Sequence, residues 1–251
     1  MKPFKSVFVL VVLLGIFAFY SSATAQRGSG MKIRGNVDGQ SAPVAELSRL
    51  KAIFSDKAKC IKIASPYGSP TRYDGSQRPR WAPGGGTHGG IDLTLTEKTP
   101  LLAIATGTVT KTGQGGMMEG IYIWLWHAPE DTGLNYWVHS KYQHLDALSD
   151  LKTGTKVTAG QVIGLSGKTG TVGGHYGGGG YPHLHLTTRK SIDGELAGGT
   201  FFDPLEIYRD AATAANGGMG SKKVAIPYVT NDGRLWPENT RVVWPVACQP
   251  N

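Results

Sequence analysis

Glycine punctuates this sequence so often that long helices have little room to form. With 36 glycines in the chain, β-branched and aromatic residues gather in runs of strand length, separated by Gly, Pro and Asn. Between Cys60 and about Tyr208, Ile91–Leu95, Leu101–Ala105, Gly107–Thr112, Ile121–Trp126, Tyr136–Leu145, Lys156–Val157, Val162–Leu165 and His183–Thr188 read as strands. Breakers at 113–116, 131–133 and 167–170 divide them, and the glycine run 173–180 reads as a mobile loop. The pattern predicts an all-β protein built on an antiparallel sheet or sandwich, with a short N-terminal helix.

The ends of the chain read differently. Lys2 and Lys5 precede an apolar run from Val7 to Tyr20, and Ala23-Thr24-Ala25 follows with small residues at a processing site. Residues 1–25 are therefore read as a signal peptide cleaved after Ala25. The apolar run falls short of the ~20 residues needed to span a bilayer, so no stable membrane anchor is expected after cleavage. This implies export, to a periplasm or out of the cell, and a monomer is expected there. Residues 26–58 are read as a flexible lead-in plus a short helix over 44–57, from the helical spacing of Val44, Leu47, Leu50, Ile53 and Phe54. The main domain is assigned to 59–210. Residues 211–222 read as a linker opening a C-terminal extension (211–251), whose apolar stretch from Val224 to Cys248 is expected to pack back on the domain.

An exported protein meets oxidising conditions, so Cys60 and Cys248, near the two ends of the mature chain, are expected to form a disulfide. Removal of residues 1–25 takes away two lysines and no acid, so the formal charge falls from +8 to +6. A basic exported protein suits polyanionic surfaces such as cell-wall polymers. Nothing in the sequence resembles a nucleic-acid module.

All seven histidines fall between residues 88 and 185, inside the β region. His88-Gly-Gly-Ile-Asp92 leads an imidazole and a carboxylate into a strand, where both can converge on one ion. His183-Leu184-His185-Leu186 alternates, placing two imidazoles on one face and two leucines in the core. Two such histidines are poorly explained by packing, so a metal or a catalytic pair accounts for them better. Tyr142-Gln143-His144-Leu145 carries a further histidine at a strand end. One Asp and two His suit zinc, and three protein ligands leave a position open for water, whose pKa zinc can bring to ~7. His127, His139 and His175 read as exposed strand-end or loop histidines.

These segments resemble the lysostaphin/LytM-type zinc metallopeptidases, a family of peptidoglycan endopeptidases. The likeness runs from about Ile61 to Leu205, through Ile63–Gly68, His88–Asp92, Thr99–Val109, Tyr142–Leu145, Val157–Gly164, Ser166–Gly170 and Pro182–Leu186. It implies a β-core of the duplicated-hybrid-motif type. It also implies one Zn2+ held by His88, Asp92 and His185, with His144 and His183 as catalytic histidines that do not bind the ion. The implied substrate is peptidoglycan peptide, in cross-links or stem peptides. Two alternatives stay open: a secreted metallopeptidase acting on Gly-rich proteins, and a non-catalytic activator of other wall hydrolases. The sequence departs from the family at Leu186 and Thr187, where an aromatic residue and a Glu are common. The loops 128–133 and 173–180 are longer than the family minimum.

Overall fold

A computed structural model describes residues 48–81, 85–171, 178–197, 199–216 and 222–251. The signal and lead-in expected at 1–43, and residues 173–177 of the glycine run, lie outside the described residues. In chain order the elements are β1 (Lys51–Ile53), β2 (Ala58–Lys59), β3 (Ile91–Thr94), β4 (Pro100–Leu102), β5 (Gly107–Gln114), β6 (Ile121–His127), α1 (Pro129–Thr132), β7 (Trp137–Leu145), β8 (Lys156–Val157), β9 (Val162–Leu165), β10 (His183–Ser191), β11 (Thr200–Phe202), α2 (Leu205–Asn216), β12 (Lys223–Ala225), β13 (Tyr228–Val229), β14 (Leu235–Trp236) and β15 (Gln249–Pro250). Among the described residues no helix is long and apolar enough to cross a membrane.

The main sheet is antiparallel, in the order β11-β10-β7-β6-β5-β8, with β3 also paired to β10. One edge of β10 is covered by β7, and the other is shared between β3, opposite His183–Leu186, and β11, opposite Thr188–Lys190. Because side chains alternate across a strand, Leu184 and Leu186 join Ile91, Leu93, Ile123, Leu125 and Tyr142 in a fully buried core. Each such aliphatic side chain contributes about 1.5–3 kcal/mol on burial. The separate ladder of β4 and β9 adds Leu101 and Ile163 to the same core. All-β architecture and antiparallel pairing follow the sequence pattern.

Two readings are corrected. The described part of the segment expected as a helix over 44–57 holds β1, paired in parallel with β12. Leu50, Ala52 and Phe54, two residues apart, pack on the core, whereas Ile53 is 46% exposed. So short a run fits both periods, and the partner strand decides between them. The stretch read as linker from 211 is helical through Asn216, consistent with the high helix propensity of its alanines.

The C-terminal segment completes the core. Trp244 is fully buried, donates from Nε1 to the Ile61 carbonyl at 3.0 Å, and meets the Phe54 ring edge-on at 5.3 Å. Val243 N donates to Ile104 O and Leu102 N to Pro245 O, each at 2.8 Å. Cys248 is bonded to Cys60. Bridging residues so far apart in sequence restricts the unfolded chain. The double variant Cys60→Ala/Cys248→Ala is therefore expected to lose roughly 2–5 kcal/mol of unfolding free energy, read by urea denaturation.

His127 and His139 correct the expectation of exposed histidines: they are 0% and 3% exposed. His175 lies outside the described residues. The His127 ring donates from Nδ1 to the Thr106 carbonyl at 2.8 Å and faces the Ser140 hydroxyl at 2.8 Å through Nε2. Burial pushes its pKa down to about 4. The unfolded chain, near the ordinary value of about 6.5, therefore takes up its proton first on acidification. The stability this contributes is present above that value and is lost as pH falls toward about 4. A chemical-denaturation series should show a slope of up to ~1.4 kcal/mol per pH unit from this group. His127→Gln should remove that share of the slope.

Candidate metal centre and active site

Strand register brings the first cluster together. Asp92 on β3 lies directly opposite His185 on β10. His88 reaches the same point from the turn before β3, its backbone clipped to the neighbouring segment by His88 N→Ser69 O and Gly68 N→His88 O. Gly90 permits the approach: a Cβ there would lie 2.3 Å from the Leu186 carbonyl oxygen and 3.0 Å from His185 Nε2. His88 Nε2 and His185 Nδ1 stand 3.0 Å apart, and they lie 3.0 and 2.8 Å from Asp92 Oδ1. One ligand atom from each residue falls within 4.8 Å of the others.

The outer contacts decide what these atoms present. A carbonyl oxygen only accepts, so His88 Nδ1, 3.0 Å from Pro66 O, carries a proton, and Nε2 faces inward. His185 is arranged the other way round. Its Nε2 faces the Thr187 hydroxyl, which can donate or accept, at 2.9 Å, and its Nδ1 faces Asp92 Oδ1 at 2.8 Å. Burial pushes the His185 pKa down to about 4, so the ring is neutral at neutral pH. Burial alone would raise the pKa of Asp92, but the imidazoles of His88 and His185 hold it well below the usual carboxylate value. Two imidazole nitrogens and an ionised carboxylate oxygen thus converge within hydrogen-bonding distance of one another. A cation at their centre would displace any proton they share, and the N/N/O composition fits zinc.

His183 and His144 stand beside this cluster. His183 donates from Nδ1 to the Tyr181 carbonyl at 2.8 Å, and its Nε2 is 3.8 Å from Asp92 Oδ1. The His144 and His183 ring centroids are 4.5 Å apart. His144, at the end of β7 with φ 65°, donates from Nδ1 to the Thr169 carbonyl at 2.8 Å. Burial, followed by the neighbouring imidazoles, pushes its pKa down to about 3, and burial lowers that of His183 as well. Both rings are neutral at neutral pH, with Nε2 lone pairs available. Tyr181 stacks on His183 at 4.7 Å, and Tyr73 stacks on Tyr181 at 3.7 Å.

The structure therefore brings His88, Asp92, His185, His144 and His183 to one place. Residue-type reasoning missed the groups that orient them: Pro66, Thr169 and Tyr181 act through backbone carbonyls, which leave no signature in a sequence. Thr187 was visible only as a departure from a family pattern. The same sheet face continues from His185 through Gln143 to Tyr122, and from Thr187 through Lys141 to Trp124. Lys141 pairs with Glu119, its Nζ 4.5 Å from the Tyr122 ring centroid and 5.5 Å from that of Trp124. The loop expected at 128–133 contains α1. A cavity of about 780 Å³, lined in part by Phe54, Tyr208, Ile226 and Trp236, shares no residue with the cluster. Donor chemistry, not cavity size, marks the site.

Comparison with known proteins finds a family match over the stretch that contains all five residues. Residues 86–204 match peptidase family M23. Glycyl-glycine endopeptidase ALE-1 of Staphylococcus capitis is 32% identical over 133 residues, covering 53% of this chain and 32% of that protein. Lysostaphin of Staphylococcus simulans is 32% identical over 135 residues, covering 53% of this chain and 24% of that protein. The chain thus spans about a third or less of the length of these curated relatives. Among solved structures, the catalytic domain of the antimicrobial peptidase lysostaphin from Staphylococcus simulans is 27% identical, covering 58% of this chain and 90% of that one, with a TM-score of 0.41.

Carbonyl partners place a proton on Nδ1 of three rings. Long-range 1H–15N correlation spectra at neutral pH should show the Nδ1–H form for His144 and His183 and a protonated Nδ1 in His88. An unprotonated Nδ1 in His88 would overturn its contact with the Pro66 carbonyl.

Proposed function

We propose, from the premise that this chain carries a domain of peptidase family M23, that it is a zinc-dependent endopeptidase hydrolysing the peptides of bacterial peptidoglycan. The observation that carries the metal is the convergence of one ligand atom each from His88, Asp92 and His185 within 4.8 Å. These three would hold one Zn2+. When bound, zinc supplies Lewis-acid polarisation of a peptide carbonyl and brings the pKa of water to ~7.

The remaining work falls to the chain's own side chains. His144 and His183 are neutral, and backbone carbonyls fix the orientation of both rings. In this reading their Nε2 atoms accept a hydrogen bond from the attacking water and, once protonated, donate to the developing oxyanion or to the leaving amine. In this reading the sheet face that runs from Gln143 to Trp124 beside the cluster is the floor along which an extended peptide lies. Family membership supports a peptide substrate, and a relative named as a glycyl-glycine endopeptidase supports a small-residue bond in a wall cross-link or stem peptide. The basic charge and the signal sequence read at residues 1–25 support export to such a substrate.

The test is mass spectrometry of fragments released from purified peptidoglycan, with and without a zinc chelator, alongside metal analysis of variants. His88→Ala, Asp92→Ala and His185→Ala are expected to lose zinc and peptide release together. His144→Ala and His183→Ala should keep one zinc and lose about 10²–10⁴-fold in kcat. Full activity in His144→Ala would sink the role given to it. Zinc-loaded protein that releases nothing would sink the enzymatic reading, and cleavage of Gly-rich proteins alone would move the substrate away from the wall.

A further inference from the structure

Asp92 has a second oxygen, and what it touches bears on how the carboxylate can bind an ion. Asp92 Oδ1 faces the two imidazoles, whereas Oδ2 lies 3.4 Å from Nη2 of Arg78. The same Nη2 donates to the Ser65 hydroxyl at 3.0 Å, and that hydroxyl stands 3.3 Å from His88 Nδ1. Nε of Arg78 donates to the Thr71 carbonyl at 3.2 Å. One guanidinium therefore reaches the outer side of Asp92 directly and that of His88 through one hydroxyl.

The segment presenting Arg78 is itself braced. Thr71 and Gln77 form an antiparallel bridge, Arg78 N donates to the Pro70 carbonyl at 2.9 Å, and Arg72 Nη1 donates to the Gln77 carbonyl at 2.7 Å. Asp92 N donates to Ser65 O at 2.9 Å, tying the serine to β3. The Arg78 side chain is 15% exposed, so its contacts with the carboxylate are sheltered from competing water. Arginine suits this place: a planar fork can hold Thr71 O with one nitrogen and the Ser65–Asp92 pair with another, which a lysine point charge cannot do.

We propose that Arg78 is a positioning residue that engages the outer oxygen of Asp92, so that the carboxylate meets the metal through Oδ1 alone. This inference rests on the reading of His88, Asp92 and His185 as metal ligands. A carboxylate left without that partner can rotate to present both oxygens, which changes the coordination number and relaxes the angle at which His88 and His185 must meet it. Arg78 thereby keeps the donor set at three atoms and the remaining position open.

The experiment compares wild type, Arg78→Gln and Arg78→Lys by zinc affinity in competition with a chromophoric chelator, by the visible spectrum of the cobalt(II)-substituted proteins, and by the melting temperature of the metal-free proteins. Both variants are expected to bind zinc about 10–100-fold more weakly. Their cobalt forms should lose the intense absorption of a four-coordinate ion, and their metal-free melting temperatures should match wild type. Unchanged zinc affinity with an unchanged cobalt spectrum would overturn the proposal. So would full recovery in Arg78→Lys, which would make charge rather than placement the cause, or a fall in metal-free melting temperature that tracks the loss of affinity. A wild-type protein that binds no zinc would instead remove the metal reading on which the inference stands.

Discussion

A buried carboxylate shared among imidazoles is the interaction around which the rest of this site is arranged. Asp92 is 4% exposed, and an ionised group withdrawn from water is costly unless paired and hydrogen-bonded. Here Oδ1 faces His88 and His185, Oδ2 faces Arg78, and the backbone N–H donates to Ser65 O. The local fold supplies each partner. The turn at Gly89-Gly90 delivers His88, the antiparallel register of β3 and β10 sets His185 opposite Asp92, and the braced loop from Pro70 presents Arg78. Together these partners fix which oxygen of Asp92 faces the imidazoles and which faces the guanidinium.

Histidine orientation extends this economy. Three rings give their Nδ1 proton to a backbone carbonyl, and the fourth, His185, meets a hydroxyl through Nε2. Backbone acceptors cannot be lost by substitution, so they are dependable partners for catalytic rings. They depend instead on chain geometry. A Cβ at Gly120 would lie 2.1 Å from the Thr169 carbonyl oxygen, and the backbone of neighbouring Gly170 packs against Gly120. The carbonyl that orients His144 is thus placed by two glycines that approach one another where no larger residue fits.

These facts explain what was legible in the sequence and what was not. The alternation His-Leu-His-Leu can be read because strand period forces it, and the strand pattern declares the all-β class for the same reason. His88 and Asp92 flank Gly-Gly-Ile at a spacing that arises often by chance, and they can be read as ligands because the family resemblance runs through that segment. The partners Pro66, Thr169 and Tyr181 could not be read, since any residue type offers the same carbonyl. Arg78 is one of several arginines between residues 72 and 80, and only the folded loop singles it out. At β1 the pattern itself was ambiguous. Leu50, Ile53 and Phe54 satisfy a helix while Leu50, Ala52 and Phe54 satisfy a strand, and the choice belongs to Lys223–Ala225, far away in sequence. His127 and His139 were misread because burial at the centre of a sheet depends on which strands flank it.

Register ties fold and chemistry together most tightly at β10. His183 lies opposite Thr94 and His185 opposite Asp92, two residues apart on one face, or about 6.6–6.8 Å along the strand. That step separates a ring in contact with the carboxylate from one that stands off at 3.8 Å, so the proposed division between ligand and proton carrier follows from position along a single strand. A slip of one residue would turn Leu184 and Leu186 to the polar face and bury both histidines among Ile91, Leu93 and Tyr142. The hydrophobic cost of that slip is the cost of emptying the core. The leucines between the histidines therefore hold the site in register, although they touch none of its chemistry.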